Sequence, residues 1–401
     1  MYITPTPSKK DVEVLKRKLS YVRKNARHMP NPKWAIVNLY DSKQHRFPIG
    51  LAHRVEKIIW VKNKPKPVMS TDASYGDLRP YQNDACNTMF NNLNGIIKIP
   101  TGGGKTKVAL EFLKYKEQTA LILVPTIDLV KQWKAQTPPW VHVKTYAAIK
   151  NKKYVQQFDI VIFDECHHCA AKTLYKIGMN VSEDALLFGL SATPLNRDDD
   201  NLKVEAVLGP IIYEISTREL IDQGYLCDAK VHYHCVDPMD SEGFVTYPMM
   251  YDEYVTKNDV RNDKIIGLAE NSKKPCLILI NRIEHGEILL DHIESNLSDV
   301  TFIHGNSKKE HREDVDHDII IATSIYDEGV DLPNLQTLII GAGGKSAIKA
   351  VQRVGRLLRP FPNKAFAVIH DFKDSCRWLD KHYLARRRIF EKDFEVIDVE
   401  E

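Results

Sequence analysis

Twice along this chain, short and nearly unbroken apolar runs alternate with stretches of helical spacing, and no other feature restricts the fold as much. Between residues 76 and 215 the runs are GIIKIP, ALILVP, IVIFDE and ALLFGLSATP, separated by segments such as KVALEFLKYKE and LVKQWKAQ. A strand that is apolar at every position has both faces buried, as in a parallel sheet covered by helices on its two sides. Between 271 and 385 the pattern returns in CLILIN, VTFIHGN, HDIIIATS, LQTLIIGAG and AFAVIHDF. The expected fold class is therefore α/β, with two tandem parallel-sheet lobes at 76–215 and 271–385. Residues 216–270, where TREL, GYLC and a polar stretch interrupt the pattern, read as a hinge and insertion, and 386–401 as a C-terminal tail.

Residues 1–75 have another texture and predict a small, separate α+β N-terminal domain. DVEVLKRKLSYVRKNA has helical spacing, with Val12, Leu15, Leu19 and Val22 on one face and Pro30 and Pro32 beyond it. KWAIVNLY and KIIWVK read as strands, and KNKPKPVMSTDASYGD as a polar linker. A module of this kind implies that the two lobes fold without it.

Charge separates the same segment. The chain carries 56 Lys and Arg against 53 Asp and Glu, a net charge of only +3, yet residues 1–70 hold 16 basic and 4 acidic side chains. A basic block on a near-neutral chain points to a polyanion, and Tyr2, Tyr21, Trp34, Tyr40 and Phe47 interleave with its charges. No apolar run reaches the roughly 18 residues that cross a bilayer, and the N-terminal residues have no signal-peptide pattern. Seven scattered cysteines argue for a reducing compartment, so a cytoplasmic location is expected.

PTGGGKT (Pro100–Thr106) follows the run GIIKI and opens the helical segment KVALEFLK. Thr101, Gly102, Gly103 and Gly104 allow backbone amides to close around phosphate oxygens, Lys105 reaches the β and γ phosphates, and Thr106 ligates Mg²⁺. Taken alone a glycine-rich turn is often only a helix start, and Ile99 stands where the general loop has its first glycine. The second half of the constellation is IVIFDECHH: a buried strand that ends in Asp164, placed to hold Mg²⁺, and Glu165, placed to polarise the attacking water. Cys166-His167-His168-Cys169 suggests zinc, but no second ligand pair follows at finger-like spacing, and packing accounts for it better.

At these residues the chain resembles the superfamily 2 DExH-box helicases, which write the loop as PTGxGKT. The resemblance extends over roughly 76–375 through seven ordered motifs. LRPYQNDA resembles the adenine-reading motif, which implies base contacts from Gln82 and Arg79. PTIDLVKQW resembles motif Ia (Pro125, Thr126), and Thr145 stands where motif Ib is expected; these residues are implied to face nucleic acid. SATP resembles motif III, which implies that Ser191 and Thr193, with His167, couple nucleotide state to the nucleic-acid groove. In the second lobe HGN (His304, Gly305, Asn306) resembles a phosphate-contact motif. ATSIYDEGVDLPNL resembles motif V, with Thr323 and Ser324 toward the strand and Glu328, Gly329 and Asp331 toward the nucleotide. QRVGRLLRP resembles motif VI, which implies that Gln352, Arg356 and Arg359 complete the ATP site, the two arginines as fingers.

The resemblance implies RecA-like lobes, ATP and Mg²⁺ as cofactors, and DNA as partner. In overall organisation, LRPYQ, DECHH and the pair Arg261-Asn262, the chain is most similar to phage UvsW-type helicases and more distantly to XPB-like and RecG-like motors. The expected function is ATP-dependent remodelling of forked or four-way DNA in replication, recombination or repair, by a monomer, with other proteins of those processes as candidate partners. An RNA helicase, a duplex translocase that separates no strands, and a nucleotide-gated scaffold are the alternatives.

Overall fold

A computed structural model describes residues 2–3, 7–23, 29, 31, 35–56, 75–195, 200–236, 246–295, 299–305, 307, 316–323, 334–343, 355, 357–361, 364, 366–374, 376 and 378–399. The chain divides into two compact units, Met1–Pro100 with Gly104–Ile215, and Ser216–Glu401 with Thr101–Gly103. Each holds a wholly parallel sheet, the arrangement that the unbroken apolar runs require.

The sheet of the first unit consists of β1 (Asn94–Lys98), β2 (Ala120–Val124), β3 (Val141–Thr145), β4 (Ile160–Asp164), β5 (Leu186–Ser191) and β6 (Ile211–Glu214), in the order β6-β1-β5-β4-β2-β3. The interior strands β2, β4 and β5 are buried at every residue, because helices cover both faces. Strand β3, at the edge, alternates instead: Val141 and Val143 are buried and His142 is exposed. All six carboxyl ends point the same way, and the register sets Ser191 beside Lys98 and Leu190 beside Asp164. The ring of Phe90, on the helix Pro80–Phe90, lies 4.9 Å from that of Phe112, on the helix Lys105–Lys116, and Phe112 meets Phe188 of β5 edge-on at 5.3 Å. These contacts lock the two helices that carry Gln82 and Lys105 onto the sheet.

The N-terminal segment departs from its sequence reading in two ways. Its helix spans only Lys9–Lys18; Ser20–Val22 is a strand paired antiparallel with Ile36–Asn38, so the face expected to run on through Val22 ends at Leu19. Strand pairing gives the backbone of the β-branched and aromatic residues Tyr21 and Val22 its hydrogen bonds, and wins over weak helix propensity. The stretch KIIWVK lies outside the described residues, as does Trp34. Nor, among the described residues, does the segment close a core of its own. Leu15, Leu19, Tyr40, Phe47, Leu51 and Val55 share one cluster with Leu202 and Ala206, which lie on the helix Asn201–Leu208 of the lobe. At Gly50 the backbones almost touch: a Cβ there would lie 2.1 Å from the carbonyl oxygen of Glu205.

A buried acid seals this junction. Glu205 accepts from Arg54 Nε at 2.7 Å and Arg54 Nη2 at 2.6 Å, and pairs with His53 Nε2 at 3.1 Å. Burial alone would raise its pKa, but His53 and Arg54 outweigh burial and hold the carboxyl at about 2. Because the pKa is depressed in the folded state, the stabilisation is complete above the ordinary carboxylate range and is lost as pH falls toward about 2. Arg54→Ala is expected to cost about 1–2 kcal/mol, as a charged hydrogen-bonded pair at a half-exposed site does. Thermal melts at pH 7 and pH 3 check this: the deficit should shrink at the lower pH, and an equal deficit at both would dissociate Glu205 from the effect.

Among the described residues, the second unit has seven parallel strands: β7 (Asp228–Val236), β8 (Cys276–Ile280), β9 (Val300–Ile303), β10 (Ile319–Thr323), β11 (Thr337–Ile340), β12 (Phe366–Asp374) and β13 (Glu395–Val399), in the order β9-β10-β8-β11-β12-β7-β13. Two sequence expectations change here. Strand β7 comes from the stretch read as hinge and insertion, and β13 from the stretch read as a tail; both belong to the lobe. Strand β7 escaped notice because His232 and His234 interrupt its apolar pattern. Burial lowers the pKa of His234 to about 4 and of its partner His370, 2.9 Å away on β12, to about 3, so both stay neutral inside the sheet. Buried ion pairs then fix helices to β12. Arg386 binds both oxygens of Asp371 at 2.8 Å, and Arg261 binds Asp374 at 2.8 Å and the carbonyl of Gly341 at 2.9 Å. Arg261 is therefore part of the lobe interior.

Candidate active site

The carboxyl ends of the first sheet line up the residues singled out in the sequence. Along the order β1, β5, β4, β2, β3 the strands deliver, in turn, the loop Thr101–Gly104, Ser191, Asp164, the pair Pro125-Thr126, and Thr145. Adjacent strands lie about 4.8 Å apart, so the row is one continuous strip at the edge where ligands of open α/β sheets bind.

At one end the loop turns sharply. Gly102 (φ 84°) and Gly104 (φ 83°) occupy the left-handed region, and Gly104 precedes the helix that Lys105 begins. A side chain at Gly104 is excluded on a second ground, since its Cβ would lie 2.3 Å from Gln82 Nε2. Gln82 is buried and accepts the Arg79 amide at 3.0 Å, so the loop and the LRPYQ motif meet. Lys105 Nζ donates to the carbonyl of Ile99 at 3.1 Å. Thr106 follows on the first turn of a helix of 12 residues, whose free N-terminal amides suit an anion.

In the middle of the strip stand the two acids. Asp164 is buried; its Oδ2 accepts from Trp133 Nε1 at 2.9 Å and its Oδ1 from the amide of Glu165 at 3.0 Å. Burial, followed by the neighbouring Glu165 carboxylate, pushes Asp164 up to about 6. Burial also acts on Glu165, but the hydrogen bond from His167 and the charge of Lys105 prevail and hold it below its ordinary value. Of the two acids, Glu165 is therefore the stronger. Glu165 adopts a left-handed backbone (φ 48°), a conformation that costs a non-glycine residue roughly 1–2 kcal/mol.

The residues expected to couple the motifs do meet. Glu165 Oε2 accepts from Ser191 Oγ at 3.3 Å and lies 3.4 Å from His167 Nδ1; His167 Nδ1 lies 3.4 Å from Ser191 Oγ, which accepts the Thr193 amide at 3.1 Å. Cys166 and Cys169 are fully buried in the lobe core, where burial pushes both thiols up. At the other end of the strip, Thr126 caps the helix Ile127–Lys134, accepting the Leu129 amide at 3.3 Å, and Thr145 caps the turn Tyr146–Ala148, accepting the Ala148 amide at 3.3 Å.

In the second unit, Thr323 ends β10 and is buried. His304 and Gly305 follow β9 in a tight turn closed by Ser307, whose hydroxyl accepts the His304 amide at 3.0 Å. Arg359 lies in a bend past the described helical residues. Asn306, Ser324, Glu328, Gly329, Asp331, Gln352 and Arg356 lie outside the described residues. Motif reading missed three contributors: Trp133, Tyr146 and Ser307. Trp133 was within reach, because it follows Leu129 and Val130 at helical spacing and so faces inward, and a buried indole N–H needs an acceptor.

Residues 76–153 and 141–196 match the family described as type III restriction enzyme, res subunit, and residues 260–360 match the helicase conserved C-terminal domain. A protein of the Sulfolobus islandicus filamentous virus (isolate Iceland/Hveragerdi), provisionally named helicase 22, is 28% identical over 74% of this chain and 64% of its own length. The DNA 3'-5' translocase XPB2 of Sulfurisphaera tokodaii is 26% identical over 85% of this chain and 92% of its own. The ATP-dependent DNA helicase uvsW of Enterobacteria phage T4 is 23% identical over 74% of this chain and 68% of its own. The chain thus spans just under two thirds of the viral relative. No helix among the described residues is long and apolar enough to cross a membrane.

Proposed function

The chain belongs to the superfamily 2 ATP-dependent helicases and is related to the XPB and UvsW proteins, and on that premise we propose that it moves along DNA and remodels branched DNA, unwinding or regressing forks and migrating four-way junctions. The observation that carries this reading is the strip on the first sheet, where a phosphate loop, an acidic pair and two capped turns occupy neighbouring strand ends. The residues present fit a magnesium nucleotide: left-handed glycines open the loop, Lys105 supplies a cation, and Asp164 and Thr106 supply oxygen ligands for the metal. Bound there, Mg·ATP supplies a phosphoanhydride whose hydrolysis drives movement. Lys105 and the loop amides hold the phosphates, and Gln82 with Arg79 holds the base. Glu165 orients the water and takes its proton, while Ser191 and His167 fix the Glu165 carboxylate. Thr126, Thr145 and the helix amides they cap meet phosphates of the strand, contacts that carry no sequence information.

Exposed Lys9, Lys10, Lys16, Arg17, Lys18 and Arg23 of the N-terminal segment grip the duplex arms of a junction in this reading. Lys16→Ala/Arg17→Ala/Lys18→Ala should flatten the log–log salt dependence of four-way junction binding by about 0.9 for each phosphate that the variant no longer neutralises. ATPase and unwinding across forks, four-way junctions, flaps and RNA duplexes test the reading as a whole. Stimulation greatest on junction and fork DNA is expected. Equal stimulation by linear single strands and by junctions would remove the branched-DNA assignment, and parallel salt lines would remove the gripping role.

A further inference from the structure

Two aromatic side chains tie the acidic pair to the capped turns, and we propose that Trp133 and Tyr146 are positioning residues that relay strand binding at Thr126 and Thr145 to Asp164 and Glu165. The inference rests on the reading given above, in which those threonines face the strand and those acids serve hydrolysis.

The geometry has two arms, one on each strand beyond β4. In the first, Thr126 caps the helix Ile127–Lys134, and Trp133 sits two turns further along it. Seven residues at 1.5 Å each make a rod of about 10 Å, and its far end is the indole. Trp133 is only 2% exposed, and its N–H is bound to Asp164 Oδ2 at 2.9 Å. The other oxygen of Asp164 is taken by the Glu165 amide, so the carboxylate is clamped from both sides. In the second arm, Thr145 caps the turn Tyr146–Ala148, and Tyr146 is the next residue. Its hydroxyl donates to the carbonyl of Asp164 and, at 3.4 Å, to that of Glu165. One arm therefore holds a side chain and the other holds the backbone at the residue with left-handed φ.

Neither cap can shift without moving its aromatic donor. A phosphate that binds at Thr126 pulls on a hydrogen-bonded rod, and one that binds at Thr145 pulls on the adjacent phenol. A tryptophan present only to fill the core would need some acceptor for its N–H. Here the acceptor is the acid that ends β4, and the second aromatic converges on the same two residues from another strand. The pair thus offers a direct route by which DNA accelerates hydrolysis, wholly within one unit.

In the full chain, Tyr146→Phe deletes the O–H and keeps the ring, whereas Trp133→Phe deletes the N–H and replaces the buried indole by a smaller phenyl ring. ATP turnover is measured with and without poly(dT), together with KM for ATP, poly(dT) affinity by anisotropy, and the melting temperature. The poly(dT)-stimulated kcat is expected to fall about 10- to 100-fold, the usual loss when a group that orients a metal-facing ligand is removed. The ratio of stimulated to basal kcat should fall with it, whereas KM and poly(dT) affinity hold. If Trp133→Phe lowers the melting temperature, the ratio in Tyr146→Phe decides. Equal fractional losses of basal and stimulated rate would make the aromatics structural, and a wild-type ratio in both variants would remove the relay. Glu165→Gln serves as the control for the underlying reading. If it is inactive while the two Phe variants keep the wild-type ratio, only the relay fails; if it hydrolyses ATP at the wild-type rate, the assignment of the acids fails first.

Discussion

Glu165→Gln is expected to hydrolyse ATP about 10²–10⁴-fold more slowly than the wild-type chain, the contribution of a positioned general base, while still binding the nucleotide. The substitution keeps the shape of a side chain that is set by Ser191 Oγ at 3.3 Å and His167 at 3.4 Å, and removes only its negative charge. Lys105→Ala should be as slow for a different reason. It deletes the cation that the proposed site assigns to the phosphates, so nucleotide affinity is expected to fall with turnover. Steady-state kinetics and a fluorescent ATP analogue separate the two: the Gln variant retains affinity and loses kcat, and the Ala variant loses both. Wild-type turnover by Glu165→Gln would show that Glu165 is not the base.

The strip that contains these residues was legible in the sequence because its parts are local. A phosphate loop needs its glycines, its lysine and a preceding strand within a few residues, and the DE pair is written directly after an apolar run. The strand order that brings Thr126 and Thr145 next to Asp164 was not legible, since any parallel order satisfies the same apolar runs. For the same reason the acceptor of the Trp133 N–H, 31 residues away on another strand, could not be read. In the second lobe the miss has a chemical cause. His232, His234 and His370 are polar residues, yet burial lowers the pKa of each and their rings pack between strands, so the pattern of β7 reads as an insertion. The core shared by the N-terminal segment and the lobe is hidden in the sequence because Leu202 and Ala206 look like ordinary core residues of the lobe helix. Val204, Val207 and Leu208 do belong to the lobe core, whereas Leu202 and Ala206 face the other way, toward Leu15 and Leu51.

That two-sided helix makes deletion of the N-terminal segment a stability experiment before it is a DNA-binding one. A basic module on a linker would come away cleanly and leave a folded lobe pair. A chain that begins at Tyr75 instead uncovers Leu202, Ala206 and the flank of Tyr175, which now pack against Leu15, Leu19, Phe47, Leu51 and Val55. Exposing one leucine-sized side chain costs about 1.5–3 kcal/mol, and the patch includes more than one group, against a total stability of about 5–15 kcal/mol for a typical domain. Glu205 loses Arg54 and His53 but regains water, so its contribution to the loss is small beside the apolar term. The truncated chain is expected to melt well below the full chain, to bind a hydrophobic dye and to associate at micromolar concentration. Leu202→Gln in the truncated chain should lessen dye binding and association, because it makes the uncovered face polar; in the full chain the same substitution should destabilise, because it buries an amide in an apolar cluster. Opposite signs in the two backgrounds are the diagnostic result. A truncated chain that melts at the full-length temperature and stays monodisperse would show that the shared cluster contributes little, and the N-terminal segment would then be a detachable module after all.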